Sequence, residues 1–164
     1  MNQPGRLWAP WRSPYISQVR RDRARCIFCR AKRTRDDRRA QIVFRGQRTF
    51  VLINRYPYNP GHLMVAPNRH IGSIGRLATE ERAELLQVAG RMVAMLGKTM
   101  APHGYNLGIN MGRVAGAGIP GHLHLHIVPR WSGDTNFMPV IGHTKVMSQS
   151  LEALFDLITQ AVSP

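Results

Sequence analysis

His122-Leu123-His124-Leu125-His126 places an imidazole at every second residue, which matches the two-residue side-chain period of a strand. Side chains two apart share a face at about 6.5 to 7 Å, so the three histidines should line one wall while Leu123, Leu125 and Ile127 turn to the core. Such a wall suits three situations: tolerated histidines on an exposed sheet face, a metal held by His-x-His, or nucleophilic chemistry. In the third, one nitrogen of a neutral imidazole attacks while the other donates to an acceptor that fixes the tautomer. The preceding segment favours the third. Met111 to Gly121 is rich in glycine, and backbone amides without a Cβ in the way can approach phosphate oxygens and follow transition-state charge. Attack of an imidazole on a phosphorus atom answers to both features.

The only two cysteines form Cys26-Ile27-Phe28-Cys29. That spacing reads as half a metal site or a redox pair and not as a structural disulfide; two buried free thiols are the plainer alternative.

The elements that must position these groups are legible in outline. Gln41 to Arg45 and Thr49 to Asn54 are rich in β-branched and aromatic residues around Arg45-Gly46-Gln47-Arg48, a hairpin signature. A third strand is predicted over His62 to Pro67, after the turn Tyr56-Pro57-Tyr58-Asn59-Pro60-Gly61. Thr79 is the expected N-cap of a main helix, with Glu80 and Glu81 in its first turn and Leu85, Leu86, Ala89, Met92, Val93, Leu96 and Met100 at helical spacing. Tyr105 to Asn110 and Leu123 to Val128 complete five strands, and Ser148 to Val162 carries an apolar helical stripe. The order of elements argues for an α+β fold with an antiparallel sheet. Residues 1 to 25, with Leu7-Trp8-Ala9-Pro10-Trp11-Arg12, read as an irregular arm ahead of a single domain over 26 to 164.

Composition limits the classes. The length fits one core, no stretch approaches the roughly 20 apolar residues of a membrane span, and the first residues lack a signal-peptide core; a cytoplasmic protein without membrane partners is expected. Lys and Arg outnumber Asp and Glu by 23 to 9, which suits a polyanionic partner. Ten of these basic residues fall between Arg20 and Arg39. A solvated basic loop explains them as well as a nucleic-acid site does, because no aromatics interleave as a single-strand binder requires.

His-Leu-His-Leu-His-Ile-Val-Pro-Arg, preceded by Asn110 and the glycine loop, resembles the signature of the histidine triad proteins, and Asn54 to His62 resembles their other characteristic stretch. The likeness runs over about residues 26 to 131. Leu7 to Arg12 and Trp131 to Phe137 resemble the branch containing bacterial diadenosine tetraphosphate phosphorylases and related hydrolases. The resemblance implies a histidine triad fold, with a five-stranded antiparallel sheet, a main helix and a C-terminal helix, and a sheet continued across a homodimer. It implies His124 as the nucleophile, His122 and His126 as its catalytic neighbours, and His62 behind them. Asn54 would bind ribose, Ile27, Phe28 and Met64 the base, and Asn110 with Gly116, Ala117 and Gly118 the phosphates. Cys26, Cys29, His70 and His122 match a structural zinc site; no organic cofactor is implied. The family's hydrolases carry Gln or Ser just before the triad, where this chain has Gly118-Ile119-Pro120. That departure removes a side-chain donor and leaves room for inorganic phosphate as second nucleophile. The expected activity is therefore phosphorolysis or hydrolysis of dinucleoside polyphosphates, with a nucleoside phosphoramidase or a non-catalytic nucleotide or nucleic-acid binding module as alternatives.

Overall fold

In a computed structural model, residues 26–134 and 149–162 are described; the aromatic arm expected over 1–25 and residues 135–137 of the Trp131 to Phe137 stretch lie outside them. The element order is helix α1 (Ile27–Arg33), helical turn α2 (Asp37–Ala40), strands β1 (Ile42–Arg45), β2 (Thr49–Ile53) and β3 (Leu63–Pro67), helix α3 (Thr79–Met100), strands β4 (Gly104–Ile109) and β5 (Leu125–Arg130), and helix α4 (Leu151–Val162). All strand pairs are antiparallel, in the order β1-β2-β3-β5-β4. The expected α+β architecture is present, with its hairpin, meander, main helix and closing helix.

Alternation along the central strands sorts side chains between two layers. Val51, Ile53, Leu63, Val65, Leu125 and Ile127 face α3 and α4, where they meet Leu85, Met92, Leu96, Phe155 and Ile158. Phe50, Leu52, Met64 and Ala66 point the other way and are covered by Cys26, Phe28 and Ile119. Both β2 and β3 are therefore buried on both faces. Phe28 is fully buried, and its transfer from water stabilises this second layer by about 1.5 to 3 kcal/mol.

Three local expectations change. The basic stretch read as a solvated loop contains α1 and α2: Ile27 and Phe28 anchor the first on the sheet, while Asp36 Oδ1 accepts the Arg39 N–H at 3.0 Å and caps the second. The main helix starts one residue earlier than expected, with Ala78 and not Thr79 at its N-cap. Glu81 Oε2 accepts the Ala78 N–H at 2.8 Å, so the carboxylate three residues on replaces the missing cap side chain. The last strand begins at Leu125 and not at Leu123. His122 lies in a bend, its N–H donating to Ile119 O at 3.1 Å, and the segment leading to the strand is pinned by the Leu123 N–H donating to Ile71 O at 2.6 Å.

Candidate active site and metal centre

The histidines arrive from two strands and the segments entering them. His126 lies on β5 opposite Met64 of β3 and Gly108 of β4, and His62 immediately precedes β3. The turn before His62 contains Gly61 at φ +75°, and this left-handed backbone favours glycine there.

A chain of donors fixes the ring tautomers. The Tyr58 N–H donates to His62 Nδ1 at 3.0 Å, so the His62 proton resides on Nε2. That nitrogen lies 2.9 Å from His126 Nδ1 and donates to it, which places the His126 proton on Nε2 in turn. Tyr58 also stacks on His62, with centroids 5.0 Å apart and planes at 14°, and Asn54 Nδ2 sits 3.3 Å from His62 Nδ1. His124 Nδ1 lies 2.8 Å from His122 O. A carbonyl only accepts, so Nδ1 carries the proton and Nε2 the lone pair. The His124 and His126 rings meet edge to face at 4.8 Å, both on buried residues.

His122 belongs to a different environment. Its Nε2 donates to Pro67 O at 2.9 Å, and its Nδ1 lies 3.4 Å from Cys26 Sγ and 3.6 Å from Cys29 Sγ. His70 Nδ1 is 3.3 Å from Cys29 Sγ, and the four ligand atoms all lie within 4.8 Å of one another. Bond lengths of about 2.3 Å to sulfur and 2.05 Å to nitrogen in a tetrahedral zinc site place S and N about 3.6 Å apart, so the cluster fits a zinc ion. The carbonyl of Pro67 supplies the outer partner that fixes a ligating imidazole. Burial pushes His122 down to about 4, opposed by the Pro67 hydrogen bond, and raises the Cys26 thiol to about 11. The imidazole is thus held neutral, while the thiol needs a cation beside it to ionise. His70 is set by its neighbour: Arg69 forks onto Glu81 through two contacts of 2.6 Å, which ties the ligand segment to the start of α3.

Two cavities take in residues expected to bind substrate, and the smaller of them reaches His126. One of about 700 Å³ lies against α1 and α2 and is lined by Ile27, Asn54, Arg55, Tyr56, Met64 and Ile119 among others. The other, of about 410 Å³, opens on β4 and is lined by Tyr58, Asn59, Leu107, Asn110, His126 and Arg130 among others. Ile27, Asn54 and Met64, expected around a nucleoside, therefore share one cavity. Phe28, expected with them, is fully buried and outside that lining; it packs on the rings of His122 and His124 at 5.0 and 4.7 Å. Asn110 lies in the other. In the glycine loop, the Gly116 and Ala117 N–H groups donate to Arg113 O and Gly112 O, so two of the expected phosphate donors are engaged within the loop.

Comparison with known proteins decides the family. A HIT domain model matches residues 35–133, and an AP-4-A phosphorylase of Mycobacterium tuberculosis is 38% identical over 156 residues, covering 92% of this chain and 80% of that protein. The chain belongs to the HIT family. Its fold is also that of two solved structures. A Zn-bound histidine triad family protein from Mycobacterium smegmatis matches with a TM-score of 0.67 at 22% identity, covering 84% of this chain and 93% of that one. A hypothetical histidine triad nucleotide-binding protein from Sulfolobus tokodaii matches with a TM-score of 0.66 at 26% identity, covering 83% and 91%.

Some parts of this HIT domain leave no signal in the amino-acid sequence. The Tyr58 N–H and the Pro67 carbonyl are backbone groups, which residue types do not announce. Asn59 bridges Pro129 O and Asp134 Oδ2 at 2.9 and 2.7 Å, and Asp134 in turn holds Arg130. The polar turn residue could have been flagged by its place in the Asn54 to His62 stretch.

Proposed function

We propose that this enzyme phosphorolyses diadenosine tetraphosphate and related dinucleoside polyphosphates through a nucleotidyl-histidine at His124. The observation that carries the reading is the tautomer of His124: with Nδ1 donating to the His122 carbonyl, Nε2 presents its lone pair as the nucleophile. Nε2 attacks the α-phosphorus, the P–O bond to the polyphosphate breaks, and ATP departs. Inorganic phosphate then attacks the same phosphorus, the N–P bond breaks, and ADP leaves with His124 restored. Polyphosphate is a competent leaving group, so positioning and charge stabilisation are the protein's main contributions. His126, with its proton on Nε2, is suited to donate to a phosphoryl oxygen, and His62 maintains that tautomer. Asn54 with Ile27 and Met64 would hold the nucleoside, with Phe28 packed behind on the His124 ring, and Asn110 with the Gly118 amide the phosphates. The homology to the mycobacterial phosphorylase and the absence of a Gln or Ser donor at Gly118-Ile119-Pro120 favour phosphate over water as acceptor.

Cys26, Cys29, His70 and His122 would hold zinc, whose contribution when bound is a cross-link joining α1 to the segments entering α3 and β5. No chemical step passes through it. The edge position of β4 supports a homodimer whose sheets join there.

Product analysis tests the activity. With inorganic phosphate present, diadenosine tetraphosphate should yield ATP and ADP in equal amounts. ATP with AMP, or two ADP, irrespective of added phosphate would sink phosphorolysis.

A further inference from the structure

The cavity against α1 and α2 carries positive charge that the described residues leave uncompensated. Arg30, Arg39 and Arg55 are in its lining, with no carboxylate among the described residues there. Among the described residues, no ion pair or side-chain hydrogen bond engages any of these three. Other arginines are occupied: Arg45 by Asp37 and two backbone carbonyls, Arg69 by Glu81. The cavity on the β4 side makes the contrast clear. Its arginine, Arg130, is held by Asp134 and Asn106. The uncompensated charge therefore lies on the side assigned to the nucleoside.

A nucleoside offers those arginines nothing to neutralise. Its α-phosphate is at His124, and its base and ribose are uncharged. Three guanidinium groups around an apolar floor of Ile27, Met64 and Ile119 instead match a base whose sugar bears a further phosphoryl group, since the guanidinium fork pairs with phosphate oxygens bidentately. The chain order adds direction. Arg55 follows Asn54, the residue assigned to the ribose hydroxyls, and both line the same cavity.

We propose that this cavity is a subsite for a ribose 3′-phosphoryl group, and that the enzyme prefers polyphosphate substrates whose bound nucleoside is 3′-phosphorylated. The group could be a terminal 3′-phosphate on a free nucleotide or the first phosphodiester of an RNA bearing a 5′ nucleoside polyphosphate. The inference rests on the nucleoside assignment under the proposed function, and the reaction at His124 is unchanged by it.

Equilibrium binding separates the two readings. Adenosine 3′,5′-bisphosphate should bind the full chain at least about tenfold more tightly than 5′-AMP, as charge-assisted hydrogen bonds predict. The double variant Arg39→Gln/Arg55→Gln should lose most of that ratio. Arg33→Gln/Arg35→Gln removes equal charge from exposed positions outside the cavity lining and should keep it. Equal affinity for the two ligands overturns the proposal, as does an equal loss in both variants, which would mark general attraction to a basic protein. The dinucleotide pApA distinguishes the sources: binding like the bisphosphate identifies an RNA end, and binding like AMP a terminal phosphate. Turnover of diadenosine tetraphosphate on the same preparation keeps the failures apart. Its absence sinks the proposed function, whereas turnover without a bisphosphate preference sinks the subsite alone.

Discussion

His124 and His126 have opposite hydrogen-bonding duties at Nδ1, one donating to a carbonyl and the other accepting from His62. The same residue type is thereby given two protonation patterns within 4.8 Å, one with a lone pair and one with a proton on Nε2. His124→Ala should therefore lower kcat by at least about 10³-fold and abolish covalent labelling by substrate radiolabelled at the α-phosphate; labelling that survives would move the nucleophile elsewhere. His62→Phe keeps a ring against Tyr58 but removes the donor to His126. Its kcat should fall about 10- to 100-fold, as when the partner of an oriented histidine is lost, with KM little altered and His124 still labelled. A KM effect without a kcat effect would contradict a tautomer role. The alternation in the sequence was enough to bring these side chains together. It could not divide them, because the partition depends on backbone groups at Tyr58, Pro67 and His122, and on two cysteines some ninety residues earlier in the chain.

At the scale of elements, α1 is what the periodicity missed. A helix of 7 residues offers only two turns of pattern, and its basic residues dominate the composition around it. Its burial comes from Phe28, and its attachment to the site from Cys26 and Cys29. If the cysteines and His70 and His122 hold zinc, metal analysis of protein purified without chelator should give about one zinc per chain. Cys29→Ser should lose it and lower Tm by several degrees, since structural zinc contributes folding free energy; a full metal complement in that variant would discard the ligand set. The start of α3 has its own pH signature. The Arg69 hydrogen bonds hold Glu81 at about 2, against an ordinary 4.5. A depressed carboxylate stabilises the fold fully above the unfolded pKa and loses that contribution as pH falls from about 4.5 through about 2. Because the Arg69 side chain is 57% exposed, about 1 to 2 kcal/mol is a reasonable share after screening. Acid unfolding of Glu81→Gln should show a correspondingly shallower loss of stability across that window. An unchanged acid limb would mean that the pair contributes nothing.

For the whole molecule, the strand order explains why the site is where it is, and what it leaves open. Five strands could be counted along the chain, but their spatial order could not: β5 inserts between β3 and β4, which puts His126 beside Met64 and brings the loop before β5 onto the α1 face. The same insertion sends β4 to the edge. There no other strand among the described residues pairs with its outer side, Leu107 is 49% exposed, and Leu107 and Asn106 line the smaller cavity with His126. A long exposed edge strand is a template for pairing with another chain, and a second copy placed edge to edge about a two-fold axis would continue the sheet and close that cavity. Light scattering should accordingly give the mass of two 18.5 kDa chains. Leu107→Glu, which sets like charges against each other across such an axis, should shift the protein to one chain and reduce turnover while circular dichroism stays unchanged. A wild-type monomer with full activity would show that β4 is a solvated edge and that one chain completes the site alone.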